Sequence, residues 1–478
     1  MNKNILIFGA GISGEIIGRE ILEGGEDRLV GYVDDDPAKK NKELNGLPIL
    51  GDSSTLTSII SKHRIHEVIL SMPSAKGVAI KKILKKIIHT GVQIQMVPGY
   101  YDIFDQDTKI DYPIRDVDVS DFLGRPQVDL NLSQINSYLH GKTVLVTGAG
   151  GSIGGELCKL IASCQPGKLV LAGRGENSLF SVMNELKYLY PKAKYSLEIV
   201  NITNYSFLEE VFKRHKPNIV IHAAAHKHVN LMENCVKEVF YNNVLGSQNV
   251  MKLCRSWNTE KFVLISSDKA VKPSNVMGLT KRIAELIMTY YASTCQTIFS
   301  AVRFGNVLGS RGSVLPLFKE QIRRGGPVTV THKDVLRFFM TIPEAAQLVL
   351  KAGSTARGGE IFILNMGEPV RIKDLAELLI QLYRPNRKKD IEINYVGLRP
   401  GEKLEEELWM PSEEMKYSEM DGIYVVHPEN VGSEFMSEVE YLKGTMDDLS
   451  DIEFRTRLFG LVEGETAIET LEDKGVLR

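Results

Sequence analysis

The sequence has little of several features that mark particular classes of protein. Its 58 lysines and arginines nearly balance 60 aspartates and glutamates, giving a formal charge of −2 over 478 residues. No basic surface for nucleic acid or an anionic membrane is therefore expected. The five cysteines are scattered and form no Cys-x-x-Cys pair, which excludes a disulfide framework and a zinc site of the usual spacing. No run of about 18 apolar residues occurs, so no transmembrane segment is predicted. These absences favour a cytoplasmic protein with a small-molecule partner.

Glycine-rich turns, by contrast, are present twice, and the chain length alone predicts at least two domains. The first turn, Gly9-x-Gly11-x-x-Gly14, lies between a buried strand and an amphipathic helix. Asp34 ends the next strand about 20 residues later, where an acid can bind ribose hydroxyls. We predict a Rossmann-like domain over 1–112, used either to bind a ligand or for structure, assembly or regulation. A polar, proline-containing stretch over 113–140 is predicted to be a linker.

A second nucleotide-binding fold begins at residue 141 and is predicted to continue to residue 478. Thr147 and Gly148-x-x-Gly151-x-x-Gly154 follow a buried strand with the spacing of short-chain dehydrogenases, and further strands then alternate with helices. The fold class is therefore α/β, with a doubly wound parallel sheet in this domain. Ligands bind beyond the carboxyl ends of such strands. The residues that this topology should bring together around one crevice are Arg174, Asn201, 223–227, 266–269 and 303–306.

The crevice is predicted to hold a nicotinamide dinucleotide. Arg174 stands where an acidic residue would bind the ribose of NAD. An arginine there can pair with the 2′-phosphate of NADP, or it can lie solvated beside the adenine, so NAD and NADP both remain open.

The stretch SSDKAVKPSNVMGLTKR, residues 266–282, contains an incomplete Tyr-x-x-x-Lys pair. If Lys281 is the lysine of that pair, Met277 takes the tyrosine position and cannot carry a proton. Asp268 and Lys269 offer an acid and a base at a strand end, although such neighbours are often only a surface ion pair.

Three nearby histidines, His222, His226 and His228, run from a strand into a loop without a matching carboxylate pattern. No metal site is therefore predicted.

Several long motifs identify a family resemblance. They are HAAAHKHVNLMEN, SSDKAVKPSNVMGLTKR, FGNVLGSRGSVLPLFKEQI, GGPVTVTHKDVLRFFMTIPEA and GLRPGEKLEEEL. Together they resemble the polysaccharide-biosynthesis nucleotide-sugar 4,6-dehydratases, an extended short-chain dehydrogenase family. The resemblance covers nearly the whole chain and implies a CoA-binding-like first domain and a small C-terminal substrate-binding part in the second. Many relatives carry transmembrane helices ahead of the first domain, whereas this sequence begins at that domain, so the expectation is a form without the transmembrane block that is either naturally soluble or has had its membrane part removed. A second departure is that Ser267 stands where the family has threonine.

The resemblance implies a lyase that removes water between C5 and C6 of UDP-N-acetylglucosamine and gives a UDP-4-keto-6-deoxy-hexosamine for surface polysaccharide biosynthesis. Asp268 would be the acid, Lys269 the base and Ser267 a sugar-orienting hydroxyl, while Lys281 holds the nicotinamide ribose and Met277 is the residue of the larger members. The proton of O4 would pass to Asp268, Lys269 or water. A tightly bound, recycled NAD or NADP and a homo-oligomer are also expected.

The expected binding residues fall into two groups. The cofactor group is Gly148, Gly151, Ser152, Ile153, Gly154, Arg174, Asn201, Ile202, Ala223, Ala224, Ala225, Asn243, Ser266 and Lys281. The substrate group is Lys227, Asn306, Arg311, Ser313, Arg337 and Arg399, where the alternative for Arg337 and Arg399 is a structural salt bridge with Glu344 or Glu402.

Two other functions stay open at this point. A UDP-N-acetylhexosamine C4 epimerase shares the first hydride transfer, but such epimerases commonly keep the tyrosine that Met277 replaces. A non-catalytic regulator that senses nucleotides would retain binding without turnover. The configuration of the hexosamine, the C5 stereochemistry of the product and the ligand of the first domain also remain open.

Overall fold

The structure is a computed structural model that describes residues 2–75, 77–97, 114–123, 132–383, 390–411, 413, 415–417, 422–428 and 430–464. The chain divides into two compact units. Unit 1 comprises Met1–Gln127, Lys319–Gly326 and Leu375–Ile391, and unit 2 comprises Val128–Phe318, Pro327–Asp374 and Glu392–Arg478. Among the described residues, no helix combines the length and apolar character that a bilayer crossing requires.

Unit 1 is an open α/β sheet. Its strands are β1 (Asn4–Phe8), β2 (Arg28–Val33), β3 (Glu43–Leu44), β4 (Leu47–Pro48), β5 (Glu67–Leu70), β6 (Gln93–Met96) and β7 (Arg115–Asp116). Its helices are α1 (Ile12–Gly24), α2 (Leu56–Lys62), α3 (Gly77–Ile87) and α4 (Val119–Leu123). Five strands form one sheet in the order β2-β1-β5-β6-β7, in which only β7 is antiparallel to its neighbour.

The apolar run NILIF forms β1 because both faces of this strand are covered. Leu6 and Phe8 join one core cluster, while Ile5 and Ile7 join a cluster on the opposite face. Alternate side chains of a strand point to opposite faces, so a continuous apolar run fits a sheet with helices on both sides.

Unit 2 contains the remaining strands. They are β8 (Thr143–Thr147), β9 (Lys168–Gly173), β10 (Tyr195–Ile199), β11 (Ile219–His222), β12 (Lys261–Ile265), β13 (Ile298–Arg303), β14 (Asn306–Val307), β15 (Val328–Val330), β16 (Leu336–Arg337), β17 (Phe339–Met340), β18 (Ile361–Leu364), β19 (Val370–Arg371), β20 (Ile393–Tyr395), β21 (Met415–Tyr417) and β22 (Ile423–Val426). Nine of them form one sheet in the order β10-β9-β8-β11-β12-β13-β18-β22-β21. The first seven are parallel, and β22 and β21 extend the sheet antiparallel.

Thirteen further α-helices lie in the described part of the chain from residue 132 onward, and those between consecutive parallel strands form the crossover connections. They are α5 (Leu132–Leu139), α6 (Ser152–Ser163), α7 (Glu176–Leu189), α8 (Tyr205–His215), α9 (Val229–Met232), α10 (Val236–Phe240), α11 (Gly246–Ser256), α12 (Val276–Thr294), α13 (Val314–Arg323), α14 (Ile342–Thr355), α15 (Ile372–Tyr383), α16 (Ser433–Thr445) and α17 (Asp451–Glu463). A π-helical turn, Tyr241–Leu245, joins α10 to α11. The later parts of α13 and α15 belong to unit 1.

The predicted α/β class with parallel-sheet, Rossmann-like domains is confirmed. Three small two-stranded sheets, β14-β17, β15-β20 and β16-β19, accompany the main sheet of unit 2. Where the sequence predicts a linker over 113–140, the described residues form β7, α4 and α5. The rest of that stretch lies outside the described residues.

Candidate active site

The turn between β8 and α6 brings three glycines together at the centre of the sheet of unit 2. Gly148 has a φ of +70°, and a Cβ on it would lie 2.7 Å from the carbonyl carbon of Ala223, so only glycine fits there. Gly151 is the N-cap of α6, and no side chain caps that helix. The first N–H groups of α6 can therefore bind an anion such as a diphosphate. A Cβ on Gly154 would lie 2.2 Å from the carbonyl oxygen of Gly148, so this glycine allows the helix to pack against the turn.

A cavity of about 270 Å³ opens beside this turn. The predicted cofactor residues that line it are Gly148, Gly151, Arg174, Asn201, Ile202, Ala223, Ala224 and Ala225. Further lining residues outside that group are Gly150, Gly173, Gly175, Ser178, Leu179, Val200, His226 and Asn242, of which only His226 falls within a stretch that the topology placed in the crevice. Most of these residues lie within a few positions of the predicted strand ends. Including more residues on either side of each strand end would have identified them. The predicted residues Ser152, Ile153, Gly154, Asn243, Ser266 and Lys281 are not among the lining residues.

Asn243 does not line the cavity, but its side chain supports the lining residue His226 through hydrogen bonds. It is 1% exposed, and its side chain binds both backbone groups of His226, accepting from N at 2.8 Å and donating to O at 3.0 Å. It also donates to Thr280 Oγ1 at 3.1 Å, which ties the loop after β11 to α12.

His222 belongs to a buried hydrogen-bond chain. Its Nδ1 is 2.7 Å from Thr147 Oγ1, and its Nε2 is 2.9 Å from Ser247 Oγ. Ser247 Oγ donates to the carbonyl oxygen of Asn243 at 2.6 Å, so it accepts from Nε2 of the imidazole. Burial, reinforced by the charge of Lys281, lowers the pKa of His222 to about 3, and the ring is neutral.

Asp268 and Lys269 form a buried pair directly after β12. Ser267 Oγ donates to Asp268 Oδ1 at 2.8 Å, and Lys269 Nζ donates to the same oxygen at 3.0 Å. The side chains are 0% and 17% exposed, which excludes the alternative of a surface ion pair. Within the described part of the chain, the buried Oδ2 of Asp268 has no hydrogen-bond partner. It is thus free to bind a proton or a sugar hydroxyl.

A second carboxylate, Glu406, also lies beside Lys269. Its Oε1 is 3.8 Å from Lys269 Nζ, which further donates to Asn306 Oδ1 at 3.2 Å. Burial disfavours the ammonium, but the charges of Asp268 and Glu406 outweigh this effect and raise the pKa of Lys269. The sequence reasoning missed Glu406, although the motif GLRPGEKLEEEL contains it.

Met277 and Lys281 lie on the buried face of α12. Met277 is 3% exposed, so the tyrosine position holds an apolar, enclosed side chain. Lys281 Nζ donates to the carbonyl oxygen of Ile265 at 2.5 Å. Burial lowers the pKa of Lys281 to about 8, and Glu285 partly opposes this effect.

Two predicted substrate residues, Lys227 and Arg311, lie close to the glycine turn. The guanidinium of Arg311 donates to the carbonyl oxygen of Gly150, and its backbone N donates to Ser152 Oγ at 3.1 Å. Lys227 Nζ donates to Ser310 Oγ at 3.4 Å, and burial together with the charge of Arg311 lowers the pKa of Lys227. These two cations are positioned for a phosphate-containing ligand.

The other predicted substrate residues differ in exposure. Ser313 Oγ is buried and has no partner among the described residues. Arg337 is 6% exposed and bonds Glu402 Oε1 at 3.1 Å, the structural salt bridge considered above, and it also donates to backbone carbonyls. Arg399 has an exposed side chain, and only its backbone N donates to Glu402.

Arg303 does not lie in the crevice where the strand topology placed it. It is fully buried and binds Glu285 through Nε at 2.8 Å and Glu413 through both terminal nitrogens, at 2.7 and 2.8 Å. Ser266 Oγ donates to Glu285 Oε1 at 2.6 Å, so Ser266 is part of this buried cluster. A sequence pattern gives no sign of it, because its members come from distant parts of the chain.

Comparison with known proteins adds to this geometry. Residues 144–428 match a family model described as polysaccharide biosynthesis protein. The chain belongs to that family. Residues 2–98 match a model described as CoA-binding domain.

Similar proteins also support the assignment of this chain to the polysaccharide biosynthesis family, and the similarity extends over most of the chain. A probable polysaccharide biosynthesis protein EpsC of Bacillus subtilis is 42% identical over 96% of this chain and 77% of its own length. A UDP-glucose 4-epimerase of Rickettsia akari is 31% identical over 59% of this chain and 82% of its own length. The solved structure of Pen from Bacillus thuringiensis is 33% identical, covers 62% of this chain and 89% of its own, and superposes with a TM-score of 0.55. The chain is thus a nucleotide-sugar-modifying member of the extended short-chain dehydrogenases.

Proposed function

We propose that this protein is a UDP-N-acetylglucosamine 4,6-dehydratase that uses NAD or NADP. The buried Asp268–Lys269 pair carries the proposal, because elimination needs an acid and a base side by side, and Met277 supplies neither. In dehydration at C5 and C6, C4 is first oxidised so that the C5 proton becomes acidic enough to remove.

The glycine turn after β8 fits a dinucleotide. Its uncapped helix and the cavity walls at Arg174, Asn201 and 223–225 would hold the diphosphate and adenosine, and Lys281 is suited to the nicotinamide ribose. A nicotinamide cofactor held there would supply reversible hydride transfer for the oxidation at C4 and the reduction at C6, so no cofactor is consumed overall.

Asp268 is the group we assign to the O4 proton. Its Oδ2 has no partner in the described chain, and the carboxylate is fully enclosed. As C4 is oxidised, Oδ2 takes the proton of O4 and Asp268 becomes a neutral acid. The same proton can then pass to the departing C6 hydroxyl, which leaves as water.

Lys269 takes the C5 proton once Asp268 is neutral. The charge of Asp268 helps to keep Lys269 protonated, and burial acts in the opposite direction. Protonation of Asp268 removes the first effect and leaves burial, so Lys269 loses its proton to water more readily and can act as a base. After elimination, Lys269 can return a proton to C5 as hydride reaches C6, and this proton comes from the solvent because ammonium hydrogens exchange with water.

Lys227 and Arg311 are the cations we assign to the diphosphate of the UDP-sugar. Both lie near the glycine turn, and the guanidinium fork of Arg311 can bind two phosphate oxygens. Asn306 is assigned to the sugar because its amide already contacts Lys269 Nζ.

A C4 epimerase is the second candidate, favoured by the similarity to a UDP-glucose 4-epimerase. The two reactions begin alike and differ in where the hydride returns. Met277 disfavours epimerisation, since nothing at that position can exchange a proton with O4.

The deciding experiment incubates the protein with UDP-N-acetylglucosamine in deuterated water and follows the product by NMR and mass spectrometry. A 4-keto-6-deoxy sugar with deuterium at C5 is expected. UDP-N-acetylgalactosamine would instead establish the epimerase, and unchanged substrate with bound cofactor would point to a binding protein or another substrate.

A matched pair of lysine variants tests the base. We expect Lys269→Ala to retain cofactor binding and to lose at least about 100-fold in the rate of water loss, within the range usual for general acid-base groups. Lys272→Ala removes an exposed lysine, paired with Glu407 at 2.6 Å, from the same loop and should keep the wild-type rate. A wild-type rate of elimination in Lys269→Ala would refute the assignment.

A further inference from the structure

Unit 1 has its own cavity, of about 480 Å³, at the carboxyl ends of β1, β2 and β5. The strand order reverses between β1 and β5, and ligands bind at such reversals in open α/β sheets. The cavity is lined by Gly9 and Gly11 after β1, Asp34 and Lys39 after β2, and Ser71 after β5. None of these residues has a part in the proposed dehydratase.

The glycine turn of unit 1 leaves space for an anion. Gly11 is the N-cap of the 13-residue helix α1, and no side chain caps this helix. A Cβ on Gly11 would meet no atom within 4 Å, so the space in front of the helix is open. The exposed N–H groups and the helix dipole favour a phosphate there.

Ser71 points independently to a ligand. It lines the cavity and is 4% exposed. Its buried Oγ has no hydrogen-bond partner among the residues that the structure describes. Buried hydroxyls in folded proteins are nearly always hydrogen-bonded, so a bound molecule is a natural partner for this one.

Asp34 presents an ionised carboxylate to the cavity. Its Oδ2 accepts from Ala10 N at 2.7 Å and Lys39 Nζ at 2.9 Å, and its Oδ1 accepts from Asp36 N at 2.9 Å. Burial opposes ionisation, but these hydrogen bonds outweigh it and lower the pKa of Asp34. A carboxylate has about four acceptor sites, so one remains for a hydroxyl.

We propose that unit 1 binds a nucleoside diphosphate through phosphate at the N-terminus of α1 and through free ribose hydroxyls at Asp34. Among the described residues that line the cavity, two are carboxylates, Asp34 and Asp35, and one is a cation, Lys39, which Asp34 already binds. A phosphate on the ribose would lie against this negative charge. Coenzyme A, which carries a 3′-phosphate, is therefore a poorer fit than a nucleotide with a free 2′,3′-diol, despite the CoA-binding description of residues 2–98.

The test measures ADP binding by calorimetry in a Gly151→Asp background, where the added carboxylate blocks the phosphate position in unit 2. We expect one ADP per chain. Adding Gly11→Asp should weaken ADP binding at least tenfold, because a carboxylate now occupies the helix N-terminus. Asp is itself a good N-cap, so this variant should fold, and its melting temperature checks this.

The matched control is Gly24→Asp at the other end of α1, where a Cβ also meets no atom within 4 Å. It should bind ADP as tightly as the background protein. Absent ADP binding, or ADP binding that Gly11→Asp leaves unchanged, would overturn the proposal. Asp34→Asn provides a second variant with nearly the same shape and should also weaken binding.

A pair of probes tests the ribose preference. AMP and adenosine 3′,5′-bisphosphate differ only by the 3′-phosphate, and we expect AMP to bind more tightly. Tighter binding of the bisphosphate would overturn the preference for a free diol and assign the cavity to a ligand of the coenzyme A type.

Discussion

Lys269 lies between two carboxylates that come from distant parts of the chain. Asp268 precedes it directly, whereas Glu406 follows more than a hundred residues later. The sequence predicted the first neighbour, because it is adjacent, and a resemblance assigned its role. The second could not be predicted, since contact between the end of β12 and the segment after β20 depends on the folded chain.

Glu406 should set the pH range of the reaction. Its charge raises the pKa of Lys269, so Glu406→Gln should lower that pKa. The base must be neutral, and a lower pKa makes it neutral at a lower pH. The acidic limb of the pH–rate profile should therefore move to lower pH, with severalfold more activity on that limb.

Glu407→Gln is the control for this prediction. The Glu407 side chain is 43% exposed and binds Lys272, so the pH–rate profile of this variant should match that of the wild-type protein. An unchanged acidic limb in Glu406→Gln would show that Glu406 does not act on the base.

At the scale of elements, alternating strands and helices specify the doubly wound sheet. The glycine turns and the crevice at the strand ends follow from patterns that are local in the chain. The buried Arg303 cluster does not, because its partners Glu285 and Glu413 lie on α12 and just before β21. Strand-end topology alone predicts that Arg303 lies in the crevice. In the structure, its ion pairs with two buried carboxylates hold it in the core.

The turn between β8 and α6 should tolerate no side chain at Gly148. Gly148→Ala combines a positive φ with a Cβ 2.7 Å from the backbone of Ala223. Gly141→Ala is the matched control, because its φ is also +70° but no atom lies within 4 Å of a Cβ. We expect the control to cost about 1 kcal/mol of unfolding free energy, and Gly148→Ala about 1–3 kcal/mol more, with loss of cofactor binding. Equal urea midpoints for the two variants would contradict this account.

At the scale of the whole molecule, unit 1 is built from three separate segments of the chain and not from one continuous stretch. Segments Lys319–Gly326 and Leu375–Ile391 belong to this unit although they are far along the chain. Leu378 and Leu382 of α15 pack against the apolar cluster that contains Leu6 and Phe8. Periodicity shows that α15 has an apolar face, but it does not show which sheet that face covers.

A fragment of residues 1–127 should therefore be an incomplete unit. Without Leu378 and Leu382, part of its apolar cluster is uncovered. We expect the isolated fragment to bind a hydrophobic dye and to form aggregates of mixed size in sedimentation experiments, while the full chain binds no dye and sediments as a single species. A monodisperse fragment with a cooperative melt and no dye binding would show that the later segments are dispensable.

The same discontinuity affects how the protein is made. The first segment of unit 1 ends at Gln127, but its last segment ends at Ile391, which is 391 − 127 = 264 residues later. At about 5–20 residues per second, translation of that interval takes roughly 13–53 s. During this time the first sheet exists without its full cover while most of unit 2 is synthesised. Transfer of the coding region for residues 1–127 alone into another gene would therefore omit two segments that belong to unit 1.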